Sequence, residues 1–341
     1  MALGMTYNGA AGQTAAGMAK AMSLGKLDPV DTSSGNQALL EMLQQADPKV
    51  ELHIVNGIWV DNSCRVLPKF IAANIASYGA EITNMDLTTP AAAKPINDWI
   101  AKGTKDKIKN LLKPDDFTPL TRMVLANAVY FKSQWVHPFS EGMTKDGDFT
   151  LLDGTTKKVP MMTQSESYKY LEDDKVQMIA LPYGEKNRLQ MNIILPNAAI
   201  KATDFTTLFT LDNWNKWNAA AQNISRVKLQ LPRIKTSYEQ KLNDSLINLG
   251  MADAFDEMKA DFSKMTDKQE LYISIVRHQA TLDVDEKGTE ATAATAVVMS
   301  QKDMPPSPQY NMIVNRPFFV IINDNETGAI LFMGLIKDPQ E

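Results

Sequence analysis

Asp-Glu-Lys-Gly-Thr-Glu-Ala-Thr-Ala-Ala-Thr-Ala-Val-Val-Met-Ser-Gln-Lys, residues 285–302, is the stretch of sequence that decides the fold. Threonine, alanine and valine in alternation are typical of a β-strand with small side chains on both faces. No proline occurs in 288–302, so every backbone N–H there can join a sheet. Residues 301–308, Gln-Lys-Asp-Met-Pro-Pro-Ser-Pro, predict an exposed loop stiffened by proline. The pattern indicates a strand that lies next to a protease-accessible loop and can be accepted by a sheet.

The composition is that of a globular protein large enough for a sizeable core. The chain has 341 residues, of which 44% are hydrophobic and 22% charged, and its net charge is −5. No block of lysine and arginine stands out, so we expect neither nucleic acid nor an anionic membrane as the main partner. No run of 18 apolar residues occurs, so no transmembrane helix is predicted. The single cysteine, Cys64, excludes an internal disulfide framework.

Motifs of catalytic and metal sites are weak in this chain. Residues 9–14, Gly-Ala-Ala-Gly-Gln-Thr, lack the lysine and the preceding strand of a phosphate-binding loop. Cys64 would need an adjacent base to act as a nucleophile, and sequence cannot show one. The histidines, His53, His137 and His278, are too scattered for a local metal motif. We therefore expect that the protein is not an enzyme and holds no metal and no cofactor.

Hydrophobic periodicity and turn residues predict helices and strands in separate groups. Helices are predicted at 14–22, 37–45, 68–78, 92–112, 205–221 and 238–249. Strands are predicted at 51–60, 120–131, 176–182, 189–196, 224–234, 271–284, 310–322 and 330–336, with strands and turns in 149–170. The regular alternation of a doubly wound sheet is absent, so the pattern favours the α+β class.

Short segments spread along the whole chain resemble one family in their order and spacing. They are 127–135 (Asn-Ala-Val-Tyr-Phe-Lys-Ser-Gln-Trp), 159–162 (Val-Pro-Met-Met), 181–183 (Leu-Pro-Tyr), 194–196 (Ile-Leu-Pro), 249–255 (Leu-Gly-Met-Ala-Asp-Ala-Phe), 260–263 (Ala-Asp-Phe-Ser), 285–291, 315–319 (Asn-Arg-Pro-Phe-Phe) and 331–334 (Leu-Phe-Met-Gly). Each motif alone is modest, but together they resemble the serpin family of serine protease inhibitors.

The resemblance implies a single serpin-like domain over residues 1–341, with a reactive loop at 288–308. The implied fold is α+β, with three mainly antiparallel sheets and about eight helices. The chain begins at residues similar to the back half of the family's second helix, so we expect an N-terminally truncated domain. The implied sheet-opening region comprises Asn127, Trp135 and His278. The resemblance makes His278 a buried hydrogen-bonding residue, and an ordinary strand histidine is the alternative.

The resemblance also implies the residues of the reactive loop. The implied reactive bond joins Lys302 to Asp303, and Met299, Ser300 and Gln301 remain alternatives for the residue before the cut. The implied hinge is made of Glu286, Gly288, Thr289, Glu290, Ala291, Thr292, Ala293, Ala294 and Thr295. Strand alternation places Thr289, Ala291, Ala293 and Thr295 on the face that would enter a sheet, and Glu290 on the outward face.

The function implied by the resemblance is irreversible inhibition of a serine protease. The protease would cut the loop, form a covalent acyl-enzyme and be trapped when the freed strand enters the main sheet. Lysine before the cut bond suits a trypsin-like pocket. We expect a monomer in an extracellular location, with a cytoplasmic location as the alternative. A non-inhibitory serpin-like binding or chaperone protein is the alternative function, and the small residues at 291–296 favour inhibition.

Overall fold

The structure is a computed structural model that describes residues 1–200, 204–267, 271–289 and 310–340. Within these ranges the α-helices are α1 (Ala2–Tyr7), α2 (Gly12–Ala21), α3 (Pro29–Gln44), α4 (Pro68–Tyr78), α5 (Ala93–Gly103), α6 (Phe205–Leu208), α7 (Leu211–Ala220) and α8 (Asn243–Leu246). The strands are β1 (Val50–Asp61), β2 (Glu81–Met85), β3 (Met123–Gln134), β4 (Lys145–Thr150), β5 (Thr156–Glu172), β6 (Val176–Pro182), β7 (Leu189–Pro196), β8 (Gln222–Pro232), β9 (Ile234–Lys241), β10 (Ile275–Val284), β11 (Gly288–Thr289), β12 (Tyr310–Ile313), β13 (Phe318–Asp324) and β14 (Ile330–Ile336).

The strands of the described residues form two sheets, and the α+β class is confirmed. The first sheet has the strand order β2-β1-β3-β11-β10-β9. The second has the order β12-β8-β5-β6-β7-β13-β14, and β4 pairs with β5. Because the 17-residue strand β5 pairs with β4, β6 and β8, all strands outside the first sheet form one connected set. Pairing is parallel between β1 and β2, between β3 and β10, and between β8 and β12.

The chain divides into two compact units, and strand β3 is covered on both faces in the first of them. This unit comprises Met1–Gln44, Leu52–Tyr130 and Ser237–Thr281. Val124, Ala126 and Ala128 pack in one cluster with apolar residues of α5, whereas Met123 and Leu125 pack in another with residues of α1, α2 and α4. Burial of both faces explains why residues 120–131 are apolar without strict alternation.

The second unit contains most of the second sheet. It comprises Gln45–Glu51, Phe131–Thr236 and Leu282–Glu341. Trp214 and Trp217 of α7 pack in a cluster with Val176, Ile194 and Phe319 of the sheet. The N-terminus of α7 is capped by Thr210, whose hydroxyl accepts a hydrogen bond from the backbone N–H of Asn213 at 3.2 Å. This cap separates α6 from α7, so the helix predicted at 205–221 is interrupted.

The helix predicted at 238–249 is found only in its second part. Residues 234–241 form strand β9 at the edge of the first sheet, whereas α8 begins at Asn243 and continues as a π-helical turn over Ile247–Met251. The helical spacing of apolar residues was outweighed by pairing with β10, because tertiary context overrides a weak local preference.

The helix predicted at 92–112 is shorter in the structure, because α5 ends at Gly103. A side chain at Gly103 would place its Cβ 2.7 Å from Val55 Cγ2, so glycine permits the close approach of α5 to β1. The predictions at 68–78, 176–182, 189–196 and 330–336 are confirmed at both ends.

Candidate functional site

A buried carboxylate anchors the segment that leaves β10. Glu286 is 3% exposed, and its carboxylate accepts hydrogen bonds from Arg233 Nη2 at 2.7 Å and from Thr144 Oγ1 at 2.5 Å. Burial alone would raise the pKa of the Glu286 carboxyl, but the hydrogen bonds from Arg233 and Thr144 outweigh it and hold the pKa below its ordinary value. The backbone N–H of Phe139 also donates to the Glu286 carbonyl at 2.8 Å. The start of the loop is therefore fixed by an ionised side chain.

Residues 285–288 form a tight turn that reverses the chain. The backbone N–H of Asp285 donates to the Gly288 carbonyl at 2.9 Å, and the N–H of Lys287 donates to Asp285 Oδ1 at 2.8 Å. The indole N–H of Trp135 donates to the Asp285 carbonyl at 3.0 Å. These contacts return the chain toward the strand that it has just left.

Strand β11 lies between β3 and β10. Gly288 is in register with Gln134 and Thr289 with Ser133, while Thr289 is also in register with Val284. Gly288 has a φ of +152°, and a Cβ there would lie 2.1 Å from the Ser133 carbonyl oxygen. Only glycine fits this approach without a shift of the backbone. The first two residues of the predicted insertion strand are thus already paired in the sheet.

An aromatic pair packs against this short strand. Trp135 stacks on Tyr183 with ring centroids 4.4 Å apart and an interplanar angle of 13°, and Phe131 meets Tyr183 edge-on at 5.1 Å. The hydroxyls of Tyr183 and Thr289 are 2.6 Å apart. Burial raises the pKa of Tyr183, and the hydrogen bond to Thr289 opposes this effect only in part. The phenol therefore stays neutral and available for hydrogen bonding to the threonine.

Beyond β11, strands β3 and β10 pair with each other directly. Their parallel register runs from Val124 and Ile275 to Val129 and Ala280. We call this directly paired stretch the seam. A further strand could be accepted between β3 and β10 only if the hydrogen bonds of the seam were replaced by bonds to that strand.

Asn127 and His278 face each other in register across the seam. Asn127 Nδ2 donates to Asn56 Oδ1 at 2.8 Å. His278 is half-buried, and burial lowers its pKa. The His278 ring makes no hydrogen bond within the described residues, and the role that the family resemblance implies for it stays a prediction.

The structure separates the predicted site residues into two places. Trp135 lies with Glu286, Gly288 and Thr289 at the hinge turn rather than with Asn127 and His278 at the seam. Glu290, Ala291, Thr292, Ala293, Ala294, Thr295, Lys302 and Asp303 lie outside the described residues.

Sequence reasoning did not identify Arg233, Thr144 and Tyr183 as members of this site. Arg233 and Thr144 are 53 and 142 residues from Glu286, so no local spacing connects them. The available signal was Glu286 itself, since an acid that begins an otherwise small and apolar strand needs a partner when buried. Tyr183 belongs to a motif that we had used only for the family resemblance.

Within the described parts of the chain, no group of three or more His, Cys, Asp or Glu side chains could hold a metal ion. None of the described helices combines the length and apolar character needed to cross a membrane.

Comparisons with known proteins agree on one family. The family model described as "Serpin (serine protease inhibitor)" matches residues 1–339. Human Serpin B8 is 34% identical over 99% of this chain and 90% of its own length, and bovine leukocyte elastase inhibitor is 35% identical over the same shares. These relatives do not support the extracellular location that we expected.

Solved structures agree with the sequence relatives. The structure of the thermophilic serpin tengpin in its native state matches this chain with a TM-score of 0.89 and 31% sequence identity. The match covers 99% of this chain and 86% of the tengpin chain. The structure of human thyroxine-binding globulin matches with a TM-score of 0.90 and 30% sequence identity. This match covers 100% of this chain and 90% of the globulin chain. The matched family model, the related sequences and the shared fold together show that this chain belongs to the serpin family.

Proposed function

We propose that this protein inhibits serine proteases of trypsin-like specificity by loop cleavage and strand insertion. The observation that carries the proposal is strand β11, because Gly288 and Thr289 already occupy the position between β3 and β10 that a longer inserted strand would continue.

The proposed reaction begins as ordinary proteolysis. The protease serine Oγ attacks the carbonyl carbon of Lys302, the bond to Asp303 breaks, and the amine of Asp303 leaves with a proton from the protease histidine. Lys302 is then held to the protease by an ester. Hydrolysis of this ester would release a cut inhibitor, whereas insertion of the loop would distort the protease before water attacks.

The length and chemistry of the loop suit this step. From Gly288 to Lys302 there are 14 steps, which span about 45 Å when extended. Thr295 and its neighbours at 291–296 are small and uncharged, so they can enter a sheet covered on both faces without burying an unpaired charge.

A non-inhibitory role is the second candidate function. It is supported by the similarity to human thyroxine-binding globulin, whose name describes the binding of thyroxine. That role would not need Gly288 and Thr289 to be paired ahead of the loop, so the inhibitory role explains more of the hinge.

Incubation with trypsin tests the proposal. We expect a complex that survives SDS and boiling, with mass spectrometry placing the cut after Lys302. Lys302→Ala should abolish complex formation with trypsin, because an acidic specificity pocket has no partner for alanine. Cleavage at Lys302 with no stable complex would favour the non-inhibitory role, and a dominant cut elsewhere in the loop would move the reactive bond.

A further inference from the structure

One outward sheet surface combines unpaired cations with exposed apolar side chains. Strand alternation places Arg226 and Lys228 on the same face of β8, and Ile313 of β12 lies on that face because it is in register with Gln230. A cavity of about 380 Å³ is lined by Lys228 and Ile313 of this face together with Met143 and Lys145. We call Met143, Lys145, Arg226, Lys228 and Ile313 the basic face.

The basic face is positive in a chain that is negative overall. Within the described residues no carboxylate forms an ion pair with Lys145, Arg226 or Lys228. Lys145 and Lys228 line the cavity together with two acids, but Asp148 pairs with Lys158 at 2.8 Å, which leaves Asp146 against the two lysines. The excess at the cavity is two minus one, or one positive charge, and Arg226 lies on the same strand face, whereas the whole chain has a net charge of −5.

The apolar part of the face indicates a protein partner. Met143 is 53% exposed and Ile313 is 45% exposed. Methionine and arginine are enriched where proteins meet, and an apolar centre beside charges is typical of such interfaces. A polyanion, by contrast, would bind through the cations alone, and the exposed apolar side chains would have no part in binding it.

The position of the face in the chain identifies which protein would meet it. Strand β12 begins at Tyr310, directly after the loop. The eight steps from Lys302 to Tyr310 span at most about 26 Å. A protease domain of about 230 residues has a radius of gyration of about 17 Å. A protease seated on Lys302 is therefore large enough to reach the neighbourhood of β12.

We propose that the basic face docks an acidic surface of the protease whose active site holds the reactive loop. This proposal rests on the proposed function, because it requires a protease at the loop. Docking at the face steers the encounter and adds contacts outside the active site, so it selects among proteases with the same preference for lysine. The face thus determines which trypsin-like protease the protein meets fastest.

Two trypsins with the same specificity pocket and opposite net charge provide the test. Both are used as catalytically inactive serine-to-alanine forms, so that Kd reports docking whether or not the loop traps an active enzyme. At 50 mM NaCl we expect anionic trypsin to bind about tenfold more tightly than cationic trypsin. The ratio should fall toward one at 500 mM NaCl, where charges are screened within a few ångströms.

Charge reversal at Lys228 is compared with the same change at an exposed lysine of α7. Lys228→Glu should remove the preference for anionic trypsin, and Lys216→Glu should keep it. The proposal is overturned if the two variants give the same Kd ratio, or if neither trypsin binds the unmodified protein. It is also overturned if Lys228→Glu abolishes binding to immobilised heparin but leaves the trypsin ratio unchanged, since the face would then bind polyanions.

Failure of the docking proposal can be told from failure of the proposed function. Active cationic trypsin that forms an SDS-stable complex with Lys228→Glu at an unchanged rate would leave inhibition intact. Preferential binding of inactive anionic trypsin without any stable complex of the active enzyme would instead leave docking intact and remove the inhibitory mechanism.

Discussion

Glu286 is the residue on which the hinge turn depends most. Its carboxylate is buried and ionised, and the guanidinium of Arg233 and the hydroxyl of Thr144 supply its hydrogen bonds. An ion pair at a surface contributes little, but removal of one partner from a buried pair leaves polar groups without compensation. Arg233 is 43% exposed, so water can relieve part of this cost on its side.

We expect Glu286→Gln to weaken the anchor by about 1–3 kcal/mol. The uncut protein should melt about 2–5 °C lower at a fixed scan rate. Glu141→Gln is the matched control, because Glu141 is 66% exposed and meets Lys287 at 3.4 Å only across the surface. Equal melting shifts in the two variants would show that the buried carboxylate does not hold the hinge.

The same carboxylate predicts an acid-dependent loss of stability. Its folded pKa is lowered, so its contribution is fully present above the ordinary pKa of glutamate, about 4.3, and is lost as the pH falls through the folded value. Thermal melts from pH 7 to pH 3 should show a steeper decline for the unmodified protein than for Glu286→Gln. If the melting temperatures of the two proteins fall equally with pH, other carboxyl groups cause the acid sensitivity.

Adding a single methyl group at Gly288 tests whether β11 must be paired in the sheet. Gly288→Ala places a methyl carbon 2.1 Å from the Ser133 carbonyl oxygen and imposes a φ that alanine rarely adopts. We expect β11 to leave the sheet, insertion to slow, and several molecules of inhibitor to be consumed for each trapped trypsin. Gly142→Ala is the control, because its nearest neighbour would be Ser140 Oγ at 3.9 Å. An unchanged stoichiometry for Gly288→Ala would contradict the role assigned to β11.

Residue identity alone could indicate part of the site but not its long-range contacts. The small, uncharged residues after Gly288 predict the hinge, and Asn127 and His278 are in register across the seam. The partners of Glu286 could not be found, because Arg233 and Thr144 are brought to it by the pairing of distant strands. The role that the resemblance implies for His278 stays a prediction, since it depends on neighbours that a single sequence does not display.

At the scale of elements, buried strands and strands joined by a tight turn could be predicted from the sequence. The strand predicted at 51–60 is found as Val50–Asp61, and the hairpin at 176–196 is found with both strands in place. The second half of strand β9, residues 238–241, was predicted as helix, because the side chains of β9 at the sheet edge are mostly exposed and carry no alternation strong enough to outweigh helical spacing. The short strand β11 could not be predicted as paired, since that depends on space between β3 and β10.

The seam between β3 and β10 is the element that must open for insertion. Ala128 and Gln279 are in register across it, and the native Cys64 is buried. Ala128→Cys with Gln279→Cys should form a disulfide, because neighbouring strands lie about 4.8 Å apart, within the Cα separation that a disulfide spans. The oxidised protein should then be cut by trypsin as a simple substrate, and dithiothreitol should restore trapping.

Two comparisons make this experiment interpretable. The single variant Ala128→Cys should trap trypsin with and without dithiothreitol, which controls for the loss of the alanine. If the oxidised double variant traps trypsin with unchanged stoichiometry, the inserted strand does not separate β3 from β10 and the proposed path of the loop is incorrect.

At the scale of the whole molecule, the proposed function requires that the uncut protein is not in its most stable state. A kinetic barrier would hold it there, because a loop with both ends tethered could not enter the seam. In most proteins a cut in a loop frees chain ends and lowers stability. Here the cut would allow residues after Thr289 to form ladder hydrogen bonds and to bury the side chains of an added strand.

Thermal unfolding before and after loop cleavage tests this claim most directly. The protein is cut within 299–303 by a protease that it does not trap, and both forms are melted under the same conditions. On the order of ten new ladder hydrogen bonds at about 0.5–1.5 kcal/mol each predict a melting temperature at least about 10 °C higher after the cut. A melting temperature that is equal or lower after the cut would contradict the insertion mechanism and favour the non-inhibitory role.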